Sequence, residues 1–228
     1  MREIVLDTET TGFDPLKGDR LVEIGCVEIM HGVATGRNLH IHINPERDVP
    51  AAAVAVHGLT EAFLRDKPVF AEVVGDFLDF IGDEAPIIIH NAAFDCAFLN
   101  HELATLGFPP LSKHRIVDTL QMAREKFPGS PASLDALCRR FEIDNTNRTL
   151  HGALLDSQLL ALVYVELTGG KQRGFDLMAN ASTITETSVQ MMSEMRPRTP
   201  RFIELSDAQK EAHHMLLEKL KDPLWKSA

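Results

Sequence analysis

The chain has 228 residues, enough for one well-buried domain and an appendage, with an ordinary apolar fraction of 44%. Its net charge of −10 excludes a protein that holds long nucleic acid by electrostatics alone, though not one that grips a few nucleotides through metal ions or is delivered by a partner. No apolar run approaches the roughly 20 residues of a membrane helix, the N-terminus has no signal pattern, and Cys26, Cys96 and Cys138 lack metal-ligand spacing, so buried thiols in a reducing cytoplasm and no membrane contact are expected.

In chain order, residues 3–8 read as a buried strand that breaks into Asp7-Thr8-Glu9 and then a turn-rich loop through Asp19. Leu21 to Met30 predicts a second strand, His31-Gly32 a tight turn, and Asn38 to Ile43 a third strand with His40 and His42 on its wet face. Ala51 to Val56 suits a short helix, and Thr60 caps another. Phe70, Val73, Val74, Phe77, Leu78 and Ile81 form one helical stripe. Ile87 to Ile89 is a short buried strand running into Asn91-Ala92-Ala93-Phe94-Asp95 and a helix to about Leu106. Arg115 to Val117 predicts a strand, Asp118 the N-cap of a helix to Lys126, Ser133 the cap of a helix through Phe141, and Ala153 to Leu167 the last long helix before Gly169-Gly170. Three early strands followed by alternating strands and helices predict an α/β protein with a mixed sheet flanked by helices. Ligands in such sheets gather at the carboxyl ends of strands.

Residues i and i+2 of a strand share a face, so Asp7 and Glu9 project together if the strand continues through them. They are either two solvated acids or a pair neutralised by a hard cation such as Mg²⁺ or Mn²⁺. Asp95 stands in the first turn of a helix, where an acid also compensates the helix dipole. Asp156 lies among Leu154, Leu155 and Leu159. His151 precedes it by five residues, roughly 140° past a full helical turn, so His151 is expected on the loop or first turn rather than on a shared helical face. Together these acids and the histidine suit a phosphodiesterase with two divalent ions roughly 4 Å apart and a histidine base.

Asp7-Thr8-Glu9, Asn91 to Asp95, and His151 through Asp156 resemble, in order and spacing, the three motifs of the DEDDh 3′–5′ exonucleases, and among these the epsilon proofreading subunits of bacterial DNA polymerase III. The likeness extends to Thr10-Thr11-Gly12 and His57-Gly58-Leu59-Thr60. It implies a ribonuclease H-like fold over residues 1–170. It implies that Asp7, Glu9, Asp95 and Asp156 hold two Mg²⁺ or Mn²⁺ ions, with Glu9 also near the attacking water and His151 the general base. Thr10 is then expected at the 3′-hydroxyl of a DNA end, and Val56, His57 and Phe94 against the terminal nucleotide, with core packing the alternative for Val56 and Phe94. Asp118 is expected to be a helix cap and not a further ligand. An RNA- or oligonucleotide-trimming relative would use the same motifs.

Residues 171–203 are polar and read as a flexible linker. A helix follows, with Ser206 and Gln209 forming a capping-box pattern and Ala208, Ala212, Met215, Leu216 and Leu220 an apolar stripe; Pro223 ends it before Leu224-Trp225. The stripe either folds back on the body or docks on a partner. The resemblance implies the second for residues 204–228, with the alpha subunit of DNA polymerase III as partner, and a sliding-clamp contact through Gln172, Phe175 and Leu177. A purely structural linker between clamp and polymerase is the alternative outside catalysis.

Overall fold

The computed structural model describes residues 1–146, 148, 150–169 and 206–219. Two compact units are present, the first holding the sheet and the second a terminal helix. Gln172, Phe175 and Leu177, the expected linker, and Leu220 to Trp225 lie outside the described residues.

The sheet consists of β1 (Arg2–Thr10), β2 (Leu21–Met30), β3 (Val33–His42), β4 (Ile87–Ile89) and β5 (Ile116–Asp118), in the order β3-β2-β1-β4-β5. β1 is central, antiparallel to β2 and parallel to β4. A central strand must be apolar on both faces, and Ile4, Val5 and Leu6 are all fully buried. Ile4 and Leu6 enter a core with Ile24, Phe77, Phe98 and Leu103. This core is built with α3 (Phe70–Ile81) and α4 (Ala92–Thr105). Val5 points to the opposite core with Val27, Ile88, Leu137, Leu160 and Val163, shared with α5 (Thr119–Lys126), α6 (Leu134–Arg140) and α7 (Ala153–Leu167). Two short helices, α1 (Ala51–His57) and α2 (Glu61–Leu64), fill the crossover between β3 and α3, and Thr60 caps α2 as expected.

β5 is shifted by one residue from the expected Arg115 to Val117, because Arg115 closes a 3-10 turn, and two strands differ from expectation by more. β1 runs on through Glu9 and Thr10, so both acids belong to the strand. β3 begins at Val33 instead of Asn38, because His31 and Gly32 both take positive φ, 55° and 81°, and pair Met30 directly with Val33. A two-residue turn of that kind matches the twist of a hairpin. The missed segment, Val33 to Arg37, is exposed throughout, so it shows no alternation to read. In α3 the stripe holds, except that Phe80 is buried and Leu78 only half-buried.

The last helix of the first unit lies close against β2. A methyl group on Gly25 would stand 2.2 Å from the carbonyl carbon of Ala153. This contact is fixed by two hydrogen bonds: Ser157 Oγ donates to the Gly25 carbonyl at 2.9 Å, and the Ala153 N–H donates to Glu23 Oε2 at 3.1 Å. Tyr164 anchors the other end by donating to Glu3 at 2.7 Å. In the second unit, α8 (Asp207–Lys219) begins with the Ser206 N–H donating to Gln209 Oε1 at 3.0 Å, half of the expected capping box. Met215 and Leu216 of its stripe are exposed.

Gly25→Ala is expected to push the start of α7 off the sheet. Overpacking against backbone costs about 1–3 kcal/mol, which a urea titration would register as a lower midpoint, with His151 and Asp156 displaced and turnover reduced beyond the loss of folded protein.

Candidate active site

Three segments deliver side chains to the carboxyl end of β1. Asp7 and Glu9 lie on the α7 face of the strand, opposite Gly25 and Glu23 of β2. The second segment is the turn from β4 into α4. Asn91 sits there at φ 63°, ψ 50°, a left-handed conformation that Asn tolerates better than most residues. The N–H groups of Asn91 and Ala92 donate to the two oxygens of Asp118 at 3.1 and 3.2 Å. Asp118 also accepts the Leu120 N–H at 2.8 Å, so it is the helix cap expected of it and closes two helices at once. In the first turn of α4, Asp95 is buried, and its Oδ1 accepts the Thr8 N–H at 3.1 Å and the Thr8 hydroxyl at 2.6 Å. It therefore locks helix to strand, which is more than dipole compensation requires.

The third segment is the start of α7. His151 lies outside the helix, before the N-cap Gly152, and its N–H donates to the Val56 carbonyl at 3.0 Å. Asp156 is in the first turn and 2% exposed. The donor atoms of Glu9, His151 and Asp156 fall within 4.8 Å of one another, with His151 Nδ1 3.4 Å from Asp156 Oδ2.

Two adjoining clefts open at this point. One, of about 470 Å³, is lined by Asp7, Glu9, Asp95, His151 and Asp156. The other, of about 520 Å³, is lined by Thr10, Val56 and His57, and Glu9 and Phe94 border both. Every residue expected at the site therefore lines one cleft or the other. Val56 is 46% exposed, which rules out a core role for it, whereas Phe94 is half-buried and packs against Phe98 with ring centroids 5.1 Å apart. The Thr10 hydroxyl donates to the Gly12 carbonyl at 2.6 Å. His57 Nδ1 accepts the Leu59 N–H at 3.0 Å, so Nε2 carries the proton and is buried against the Thr10 backbone.

The electrostatics are those of crowded acids. Burial, and then the charges of Asp95, Glu9 and Asp156, hold Asp7 well above the usual carboxylate range. Burial and neighbouring carboxylates push Glu9 up to about 8, and burial lifts Asp95 to about 7. Arg148 is the cation set among them. Its Nε and Nη2 grip Asp156 at 2.5 and 2.6 Å, Nη1 reaches Asp135 at 2.8 Å, and Nη2 donates to His151 Nδ1 at 2.8 Å. A guanidinium has no acceptor, so Nδ1 is the lone-pair nitrogen of His151 in this arrangement. Four carboxylates form an all-oxygen donor set that suits hard divalent ions. The elevated carboxylates mark where positive charge is short.

Sequence reading missed Arg148, Asp135, Glu23 and Phe13. Arg148 and Asp135 meet only in space, and Phe13 is 90% exposed at the rim of both clefts. Glu23 carried a signal, an acid between Val22 and Ile24 inside an apolar strand.

A mixed sheet bearing carboxylates from β1, α4 and α7 at one end is the architecture of a ribonuclease H-like exonuclease. The fold is shared with the nuclease domain of 3′hExo, a DEDDh family member bound to rAMP, with a TM-score of 0.62 at 17% identity over 73% of this chain and 90% of that one. The family model described as "Exonuclease" matches residues 4–164. The DNA polymerase III subunit epsilon of Rickettsia conorii is 47% identical over 96% of each chain, and that of Rickettsia felis 56% identical over 78% of this chain and 79% of its own. The chain belongs to this exonuclease family and, within it, to the DNA polymerase III epsilon subunits.

Two outcomes are expected in the metal-free protein. Glu9 and Asp95 keep protons in the folded state that the unfolded chain gives up near pH 4. The native state then binds more protons than the unfolded one, so stability falls as pH rises from about 4 to about 8. Urea midpoints in chelator should follow that slope, and Glu9→Gln should flatten it. Arg148→Ala should destabilise the chelated protein by on the order of 3 kcal/mol by leaving Asp156 unpaired. The loss should shrink in saturating Mg²⁺.

Proposed function

We propose that the chain is the proofreading 3′–5′ exonuclease subunit of a bacterial replicative DNA polymerase and removes mispaired 3′-terminal nucleotides by hydrolysis. One observation carries the reading: a cleft sized for a nucleotide opens onto the carboxylate cluster, with Glu9 and Phe94 forming the shared wall. The near full-length likeness to an epsilon subunit supports it.

Asp7, Glu9, Asp95 and Asp156 would hold two divalent ions, Mg²⁺ or Mn²⁺. When bound, such a pair lowers the pKa of water and neutralises charge on attacking and leaving oxygens. The protein's own groups do the rest. His151 would be the general base: its lone-pair nitrogen, which accepts from Arg148 Nη2 in the metal-free protein, takes the proton of the attacking water once that bond opens, with Glu9 beside the water. The exposed side of Val56 and the half-buried ring of Phe94 pack on the terminal nucleotide, Thr10 meets its 3′-hydroxyl, and His57 lines the same cleft. The terminal nucleotide must leave its pair to enter, so frayed and mismatched ends react faster.

The domain plan that goes with this reading is an exonuclease domain over residues 1–170, a linker with a clamp-binding segment over 171–203, and a tail over 204–228. The tail docks on the polymerase alpha subunit. Exposed Met215 and Leu216 on α8 supply an apolar face for such docking, the helix-in-groove mode.

The test is digestion of a 5′-labelled DNA primer–template with a terminal mismatch, beside the matched duplex and an RNA strand of the same sequence, in Mg²⁺ and in chelator. Shortening from the 3′ end should be metal-dependent and fastest on mismatched DNA. Asp7→Ala and Asp156→Ala should abolish it with the fold intact, and His151→Ala should lower turnover by a factor on the order of 10² or more. Faster loss of the RNA strand would turn the assignment to an RNA-trimming exonuclease.

A further inference from the structure

A second cluster of donors lies one strand outward from the carboxylates. Glu23 on β2 pairs directly with His42 on β3, and His40, opposite Gly25, falls on the same face. Glu23 Oε1 is 2.5 Å from His40 Nε2 and 3.6 Å from His42 Nε2. The ligand atoms of all three residues lie within 4.8 Å of one another. The two imidazole centroids are 4.5 Å apart with the rings tilted by 53°, so both Nε2 atoms converge on one carboxylate oxygen. Glu23 is 4% exposed, while both histidines are open to solvent on one side.

Two further features preorganise the cluster. Glu23 Oε2 is held by the Ala153 N–H, which fixes the carboxylate and leaves Oε1 for the imidazoles. The His42 ring stands edge-on to Phe63 at 5.0 Å, and Lys67, the nearby cation, has its ammonium over the same Phe63 ring at 4.3 Å. Burial also disfavours protonation of His42, and neutral imidazole is the form that binds metal. The catalytic reading uses none of these three side chains.

We propose that Glu23, His40 and His42 form a binding site for a borderline-soft divalent ion of the Zn²⁺ type, separate from the all-carboxylate cluster at β1. Two imidazoles and one carboxylate, with a fourth position open to water, is a zinc donor set. Bonds of about 2.0–2.1 Å in a tetrahedral site separate the donor atoms by roughly 3.3 Å. His42 already stands near that spacing from Oε1, and His40 reaches it by withdrawing less than about 1 Å. Such an ion would clip the edge strand β3 to β2 and, through Glu23, to the start of α7. It would also offset the Glu23 charge directly opposite Glu9.

The test uses the untagged full-length chain, equilibrated with Zn²⁺ in excess Mg²⁺ and gel-filtered, with bound zinc counted by atomic emission. Wild type should retain one zinc more than either His40→Gln or His42→Gln, and the affinity should fall by at least ~10-fold in each variant. The extra zinc should survive Asp7→Ala, which separates it from the carboxylate cluster. Zinc should raise the Tm of wild type relative to its own metal-free form, and should leave the Tm of each histidine variant at that variant's metal-free value. Equal zinc retention by wild type and both histidine variants would overturn the proposal, as would an extra equivalent lost in Asp7→Ala and kept in the histidine variants.

Discussion

Mutual repulsion among Asp7, Glu9, Asp95 and Asp156 is the constraint on which the first unit depends. Each acid is buried or half-buried, and burial alone disfavours charge at such positions. A chain left to optimise its own stability would not assemble them. That they stand together reflects work done elsewhere: a central strand sunk in apolar core on both faces, and Arg148 as an internal counter-ion gripping Asp156 through two nitrogens. Instability stored at a functional site and offset by the scaffold is a common arrangement.

Placement of the acids follows from the geometry of regular elements. β1 sets Asp7 and Glu9 on one face by its two-residue period. Asp95 and Asp156 occupy first turns of helices, where the positive end of the dipole favours a carboxylate. Those helix ends are themselves held by other acids, Asp118 under α4 and Glu23 under α7. The site is thus two layers of carboxylates, an inner set facing the cleft and an outer set facing backbone N–H groups. The outer set fixes where the inner set points.

Much of this was legible in the sequence because the signals were local. The alternation through β1, the Asn91 to Asp95 turn, the Asp118 cap, and the placement of His151 just ahead of a helix all follow from short-range rules. The five motif residues line a single cleft. What was illegible arises from contacts between distant segments. Arg148 sits in a polar stretch with no periodicity, and only the fold brings it onto Asp156 and Asp135. Glu23 reads as a stray acid until α7 is seen to rest on Gly25. The first half of β3 was invisible because an exposed edge strand has no buried face to impose a pattern, and its start is set by the His31-Gly32 turn.

β1 works as a partition. Its odd positions send Glu3, Asp7 and Glu9 toward α7, and its even positions send Ile4, Leu6 and Thr8 toward the opposite core, where Thr8 holds Asp95. Shifting the strand by one residue would exchange the two sets completely, delivering leucine to the carboxylate cluster and glutamate to the core. Single substitutions along β1 are therefore graded in effect, whereas an insertion or deletion of one residue is all-or-none. The length of this segment is thus a constraint of a different kind from the identity of any residue in it.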